Sequence, residues 1–136
     1  MKYNFAIIVL INCLFLSSGL QAQNSCRQEV VYRTSSVGNG KESFPLALMF
    51  FIKSDTLRIA NNERSAKASD NVPFLITEKI CSWNADYSEG KSFFKLLLTE
   101  KGEVKRPTLA IEINEKKGKI ILQYENAEPR VFEMIL

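Results

Sequence analysis

The stretch that decides the fold class is residues 108–136, TLAIEINEKKGKIILQYENAEPRVFEMIL. Apolar and polar side chains alternate along three runs within it, residues 108–114, 119–125 and 130–136. A period of two is typical of β-strands that bury one face. The segments between the runs are short and contain Gly118 or Pro129, residues that favour turns. Because a parallel crossover needs a dozen residues or more, these connections predict an antiparallel β-meander.

The same alternation extends upstream and predicts five more strands, at residues 29–34, 46–53, 56–60, 74–83 and 92–99. The run 46–53 (LALMFFIK) is almost wholly apolar, which suits a strand covered on both faces or a helical segment. The polar stretch 61–71 (NNERSAKASDN) would permit one helical turn, and we interpret it as a mobile surface loop.

Seven or eight strands in one domain predict an all-β fold, either a small antiparallel up-and-down barrel or a β-sandwich. Both architectures bury the inner faces and protect the strand edges. The sequence leaves the choice between them open.

The N-terminus, MKYNFAIIVLINCLFLSSGLQA, predicts a signal peptide over residues 1–22. Lys2 gives the positive start, residues 5–16 form the apolar segment, and Ala22 precedes a cleavage site at Gln23. An uncleaved anchor would need about 20 apolar residues. A lipoprotein would need a cysteine at the end of the apolar run, and a buried core helix would need a polar face. Residues 5–22 have neither feature. We therefore predict a secreted or periplasmic domain over residues 23–136, with no membrane span after cleavage.

Cleavage would remove Cys13 and leave Cys26 and Cys81, an even pair in an oxidising compartment. Such a pair predicts a disulfide. Closing a loop of this length stabilises a fold by about 4 kcal/mol in the chain-entropy description. Two unpaired buried thiols are the alternative. A redox-active pair is disfavoured because there is no Cys-x-x-Cys spacing.

The charged residues argue against several classes of function. The formal net charge is +3, and basic and acidic residues alternate along the chain, so no surface for nucleic acid is predicted. The sequence contains no histidine, which removes the usual general base and the commonest metal ligand. Asp86 and Glu89 are too few for a calcium loop, and we interpret them as solvated turn residues. No cofactor or metal is predicted.

Aromatic side chains are the remaining candidates for recognition, and the predicted contact residues are Phe50, Phe51, Trp83, Tyr87, Phe93 and Phe94. Adjacent residues of a strand point to opposite faces. One ring of the Phe50–Phe51 pair and one of the Phe93–Phe94 pair should therefore lie away from the core, where a partner or an apolar ligand could contact it.

Three functions are compatible with this pattern. The first is an exported non-enzymatic domain that binds a protein or a cell-envelope component through a strand edge or an aromatic patch. The second is a carrier that holds an apolar small molecule inside a barrel. The third is a glycoside hydrolase with a pair of carboxylates. Its candidate acids are Glu78, Glu112, Glu125 and Glu133.

Overall fold

The computed structural model describes residues 25–136. The signal peptide predicted over residues 1–22 lies outside these residues, so it stays a prediction. The strands are β1 (Glu29–Gly38), β2 (Ser43–Lys53), β3 (Thr56–Ala60), β4 (Phe74–Trp83), β5 (Gly90–Glu100), β6 (Glu103–Lys105), β7 (Thr108–Asn114), β8 (Lys117–Gln123) and β9 (Arg130–Ile135). One short helix, α1 (Glu63–Ala66), lies between β3 and β4.

Antiparallel pairing closes eight of these strands into a barrel. β1 pairs with β2, β2 with β3, β3 with β4 and β4 with β5. β5 then pairs with β7, β7 with β8 and β8 with β9. The barrel closes where β9 pairs with β1, from Arg33 opposite Ile135 to Gly38 opposite Val131. The structure thus decides between the two predicted architectures in favour of the barrel.

The short strand β6 is an extension of β7. Leu98 of β5 lies opposite Lys105 of β6, and Lys95 of β5 lies opposite Thr108 of β7, which is one continuous register. Pro107 interrupts the strand because it has no N–H to donate. Its carbonyl still accepts a hydrogen bond of 2.9 Å from the Leu96 N–H.

Three predicted strands, β3, β4 and β7, have the bounds that the alternation gave. The first strand was predicted to end at residue 34, and this bound is wrong, because β1 continues to Gly38 past a bulge between Thr34 and Ser36. The bulge keeps β1 in contact with both neighbours, so its last residues pair with β2 and β9. β2 also begins earlier than predicted, at Ser43.

The loop predicted over residues 61–71 contains one helical turn, α1, so the prediction is wrong for these four residues. The Asn62 side-chain oxygen accepts a hydrogen bond of 2.8 Å from the Ser65 N–H, which caps the start of α1. Asparagine is among the best residues at this position because it satisfies a free backbone donor. Ala66, at the end of the turn, is buried.

Inward-facing side chains fill the barrel. The core contains Phe50, Ile52, Leu57, Phe74, Ile76, Trp83, Phe94, Leu96, Leu98, Leu109, Ile111, Ile113, Ile120, Leu122 and Phe132. Phe50 and Phe132 meet edge to face with ring centroids 5.1 Å apart, a favourable aromatic geometry. Burial raises the pKa of the Tyr32 phenol, and the positive charge of Arg27 opposes this shift.

The predicted disulfide between Cys26 and Cys81 is present and closes one end of the barrel. The segment before β1 crosses this end, where the Gln28 carbonyl accepts a hydrogen bond of 2.7 Å from the Ser54 N–H. A disulfide is consistent with an oxidising compartment. Within residues 25–136 there is no helix of the length and hydropathy needed to cross a membrane.

Replacing Ile111 by Ala tests whether the packed interior stabilises the barrel. Ile111 is 0 % exposed, so its truncation should lower the free energy of unfolding by about 2–5 kcal/mol. The matched control is Ile135→Ala, because Ile135 is 58 % exposed and should lose at most about 0.5 kcal/mol. Urea denaturation measures both, and equal losses would contradict a core at Ile111.

Removing the disulfide by Cys26→Ser with Cys81→Ser should lower the free energy of unfolding by about 4 kcal/mol. The half-cystines are 55 residues apart in sequence, so the unfolded chain gains much conformational freedom. Denaturation with and without a reductant provides the check. The reductant should destabilise the wild type and leave the double variant unchanged. A wild type that is insensitive to full reduction would contradict the prediction.

Candidate binding surfaces

The structure separates the aromatic pairs as the strand geometry requires. Phe50 and Phe94 are buried in the barrel core, whereas Phe51 and Phe93 are half-buried on the outer face. Phe50 and Phe94 therefore have packing roles. The outward rings of Phe51 and Phe93 remain candidates for contact with a partner.

Phe93 belongs to a band of apolar side chains that crosses five strands. Its opposite neighbours are Ile80 on β4 and Ala110 on β7. Ala110 in turn lies opposite Ile121 on β8, and Ile121 lies opposite Val131 on β9. Directly opposite residues of antiparallel strands share a face. We call Ile80, Phe93, Ala110, Ile121 and Val131 the outer apolar row.

A row of alternating charges runs beside the outer apolar row, two positions away from it on β5, β7, β8 and β9. Lys91 lies opposite Glu112, Glu112 opposite Lys119, and Lys119 opposite Glu133. We call these four residues the charged row. Among residues 25–136, the ion pairs within 4 Å lie elsewhere, between Lys79 and Asp55 and between Lys95 and Glu78. Lys91, Lys119 and Glu133 are exposed and Glu112 is half-buried, so the charged row lies at the surface of the barrel.

Trp83 and Tyr87 lie together at the disulfide end of the barrel. Trp83 is buried, and its indole N–H donates a hydrogen bond of 2.8 Å to the Ser92 hydroxyl. The Tyr87 ring is 6.3 Å from Trp83, and the Arg27 guanidinium lies 4.2 Å from the Tyr87 centroid. The segment before β1 thus covers the Tyr87 ring, and Trp83 has a structural role in the core.

An open cleft of about 880 Å³ lies beside Trp83. Its lining residues are Ser82, Trp83, Asn84, Ala85, Asp86, Glu89, Gly90, Lys91, Glu112, Ile113 and Asn114. Hydrogen bonds from Ser88 lower the pKa of the exposed Asp86 carboxyl. Glu89 accepts a hydrogen bond of 3.3 Å from the Glu115 N–H. Within the described part of the chain, no group of three or more acidic or cysteine side chains could hold a metal ion.

The four acids considered for hydrolysis lie at separate places on the outer surface. Glu78 is paired with Lys95 at 2.7 Å. Glu112 and Glu133 belong to the charged row, with β8 between their strands. Glu125 is exposed in the turn before β9. A glycosidase needs two carboxyl groups about 5–10 Å apart across a substrate site, and the cleft contains only Glu112 of these four.

The barrel wall has an unpaired strand edge at the first half of β2. β1 pairs with the length of β2 on one side, whereas the pairs with the short β3 begin at Met49. In the described structure, residues 43–48 therefore have a strand neighbour on one side alone. Phe44 is 62 % exposed and Leu46 is 42 % exposed on this segment. We call residues 43–48 the free edge.

Sequence reasoning did not select Phe44 and Leu46 as site residues. The usable signal was the difference between the predicted lengths of the two strands, because the run 46–53 is longer than the run 56–60. A long strand beside a short one leaves part of its edge without a partner. Pro45 within β2 is a second signal, since proline in a sheet is confined to edges, strand starts and bulges.

Comparison of the chain with protein-family models, with curated proteins and with solved structures found no match. The structure defines a disulfide-closed, eight-stranded antiparallel barrel with a filled interior. Its candidate contact regions are the free edge, the outer apolar row with the charged row, and the open cleft.

Replacing Ser92 by Ala tests the structural role assigned to Trp83. The change leaves the buried indole N–H without its acceptor, which should cost about 1–3 kcal/mol of unfolding free energy. The control is the same change in a Trp83→Phe background, where no N–H remains and the cost should be smaller. Chemical denaturation of the wild type, the two single variants and the double variant measures the cost of Ser92→Ala in both backgrounds. Equal costs in the two backgrounds would show that the hydrogen bond contributes nothing.

Proposed function

We propose that this protein is an exported, non-enzymatic binding domain that captures an extended segment of a protein partner at the free edge of β2. The supporting observation is that residues 43–48 have a strand neighbour on one side alone and carry two exposed apolar side chains, Phe44 and Leu46. An extended peptide can add a strand to such an edge, where main-chain hydrogen bonds supply affinity and side-chain pockets supply specificity.

The side chains beside the free edge favour a partner with apolar residues. Phe44 lies opposite Val37, and Val37 lies opposite the buried Phe132, so Phe44 faces the inner side of the sheet. Leu46 follows two residues later on the same face. A strand added beside β2 would cover both side chains with its own inward-facing residues. Burial of this apolar surface would favour binding.

Export is the second part of the proposal. The disulfide between Cys26 and Cys81 supports it, because such bonds persist in secreted and periplasmic proteins. The signal-peptide pattern of residues 1–22 supports it independently. The partner would therefore be a protein of the cell envelope or of the surroundings.

The filled interior disfavours the carrier function. A barrel that carries a small molecule encloses room for it, whereas Phe50, Leu109, Ile111 and Ile120 are fully buried within this one. An apolar ligand could enter only by displacing packed core side chains. The free edge has no such requirement, so partner binding is the function that the geometry supports better.

Site-specific photocrosslinking tests the proposal in the cell that makes the protein. A photoreactive phenylalanine analogue replaces Ala47 on the free edge, or Lys53 on the same strand as a control. Lys53 pairs on both sides, with Glu29 and with Thr56. Illumination should produce a discrete protein adduct from position 47 and none from position 53.

A second variant examines whether the adduct depends on the apolar side chains. Phe44→Asp should abolish the crosslink from position 47 while leaving the melting temperature unchanged, because Phe44 is 62 % exposed. An adduct that is a lipid, or that forms equally from both positions, contradicts strand capture. N-terminal sequencing of the same sample tests export. A chain beginning at Gln23 supports cleavage, and one beginning at Met1 contradicts it.

A further inference from the structure

We infer that the outer apolar row and the charged row form a self-complementary surface on which a second copy of this chain docks face to face. This surface is distinct from the free edge proposed for partner capture. The inference rests on the order of the side chains across neighbouring strands of the barrel.

The charged row has an order that complements its own reversal. From β5 to β9 it carries Lys91, Glu112, Lys119 and Glu133. Consider a two-fold axis that runs parallel to the strands, midway between β7 and β8, in the plane between the two copies. Rotation about this axis places each row against the same row of the second copy, with the order of the strands reversed. Lys91 then faces the second copy's Glu133, and Glu112 faces the second copy's Lys119. Every facing pair joins opposite charges, as an isologous interface requires.

The same axis brings the apolar side chains together. Phe93 faces the second copy's Val131, and Ala110 faces the second copy's Ile121. Ile80 at the margin is 58 % exposed and faces the second copy's Gly38, which lies opposite Val131 in its own chain. One symmetry operation therefore satisfies both rows.

Within the outer apolar row, the smallest side chain lies nearest the centre of the contact. Two convex surfaces approach most closely at their centre, where Ala110 on β7 faces the second copy's Ile121. The gap widens toward the margins, where Lys91 and Phe93 on β5 and Glu133 on β9 are long enough to reach the second copy. The contact is narrow, so we expect a transient dimer.

The composition of the charged row favours a second copy over a strongly charged partner. Two lysines and two glutamates carry no net charge together, so the row presents no field that would attract a nucleic acid or an anionic membrane. Alternating charge gives specificity for a surface with the reverse alternation. This chain presents such a surface.

A mixing experiment with two charge reversals tests the dimer. The protein is purified from cells that express all 136 residues, and its mass is followed by sedimentation up to about 1 mM, the weak end of specific binding. The wild type should dimerise. Lys91→Glu alone and Glu133→Lys alone should each weaken dimerisation roughly tenfold, because each homodimer then contains two like-charge contacts.

An equimolar mixture of the two variants should regain wild-type dimerisation. Its heterodimer contains one wild-type contact between Lys91 and Glu133. In the second contact across the two-fold axis the two charges are exchanged, so it also joins opposite charges. Lys91 and Glu133 are not neighbours within one chain, since β7 and β8 separate their strands. Recovery therefore reports contact between copies, and repair of a contact within one barrel cannot explain it.

The matched control is Lys53→Glu, which reverses a charge opposite Glu29 on another part of the barrel. It should dimerise like the wild type. The melting temperature of each variant checks that the barrel remains folded, and Ile121→Ser should weaken the dimer without charge reversal. A monomer at every concentration overturns the inference. So does a mixture that behaves like its separate components, or an Ile121→Ser protein that dimerises normally.

Discussion

The antiparallel pairing between β1 and β9 is the interaction on which the rest of this structure depends. It joins the first strand to the last, from Arg33 opposite Ile135 to Gly38 opposite Val131, and so turns an open meander into a closed wall. Closure divides the side chains of each strand into an inner and an outer set. The inner set fills the barrel with aliphatic and aromatic side chains, which leaves the outer face, the free edge and the open cleft as candidate places for recognition.

Much of the wall was predictable because half-buried strands carry a local signal. The bounds of β3, β4 and β7 follow from alternation alone, and the disulfide follows from an even cysteine pair. The bulge in β1 was not predictable, because it depends on pairing with two strands that are distant in sequence. The helical turn after Asn62 was missed because a single cap provides only a short local signal.

The candidate surfaces show the same division between local and non-local information. Strand geometry alone indicated that one ring of each Phe–Phe pair lies outside the core, and Phe51 and Phe93 do so. The free edge depends on which strand lies beside β2 and on how short that neighbour is. The outer apolar row depends on register across five strands, which no single stretch of sequence contains. Non-local pairing therefore determines which of many exposed residues form a continuous surface.

The pairing of the first strand with the last also sets the order of events during synthesis. A chain that emerges from its N-terminus can form the β1–β2 hairpin early, yet the other side of β1 has no partner until residue 135 has been made. Until then the inner faces of eight strands lack their final cover. A nascent chain with such exposed apolar surface and open edges is prone to aggregation. The wall that protects the finished protein is thus completed only when β9 has been translated.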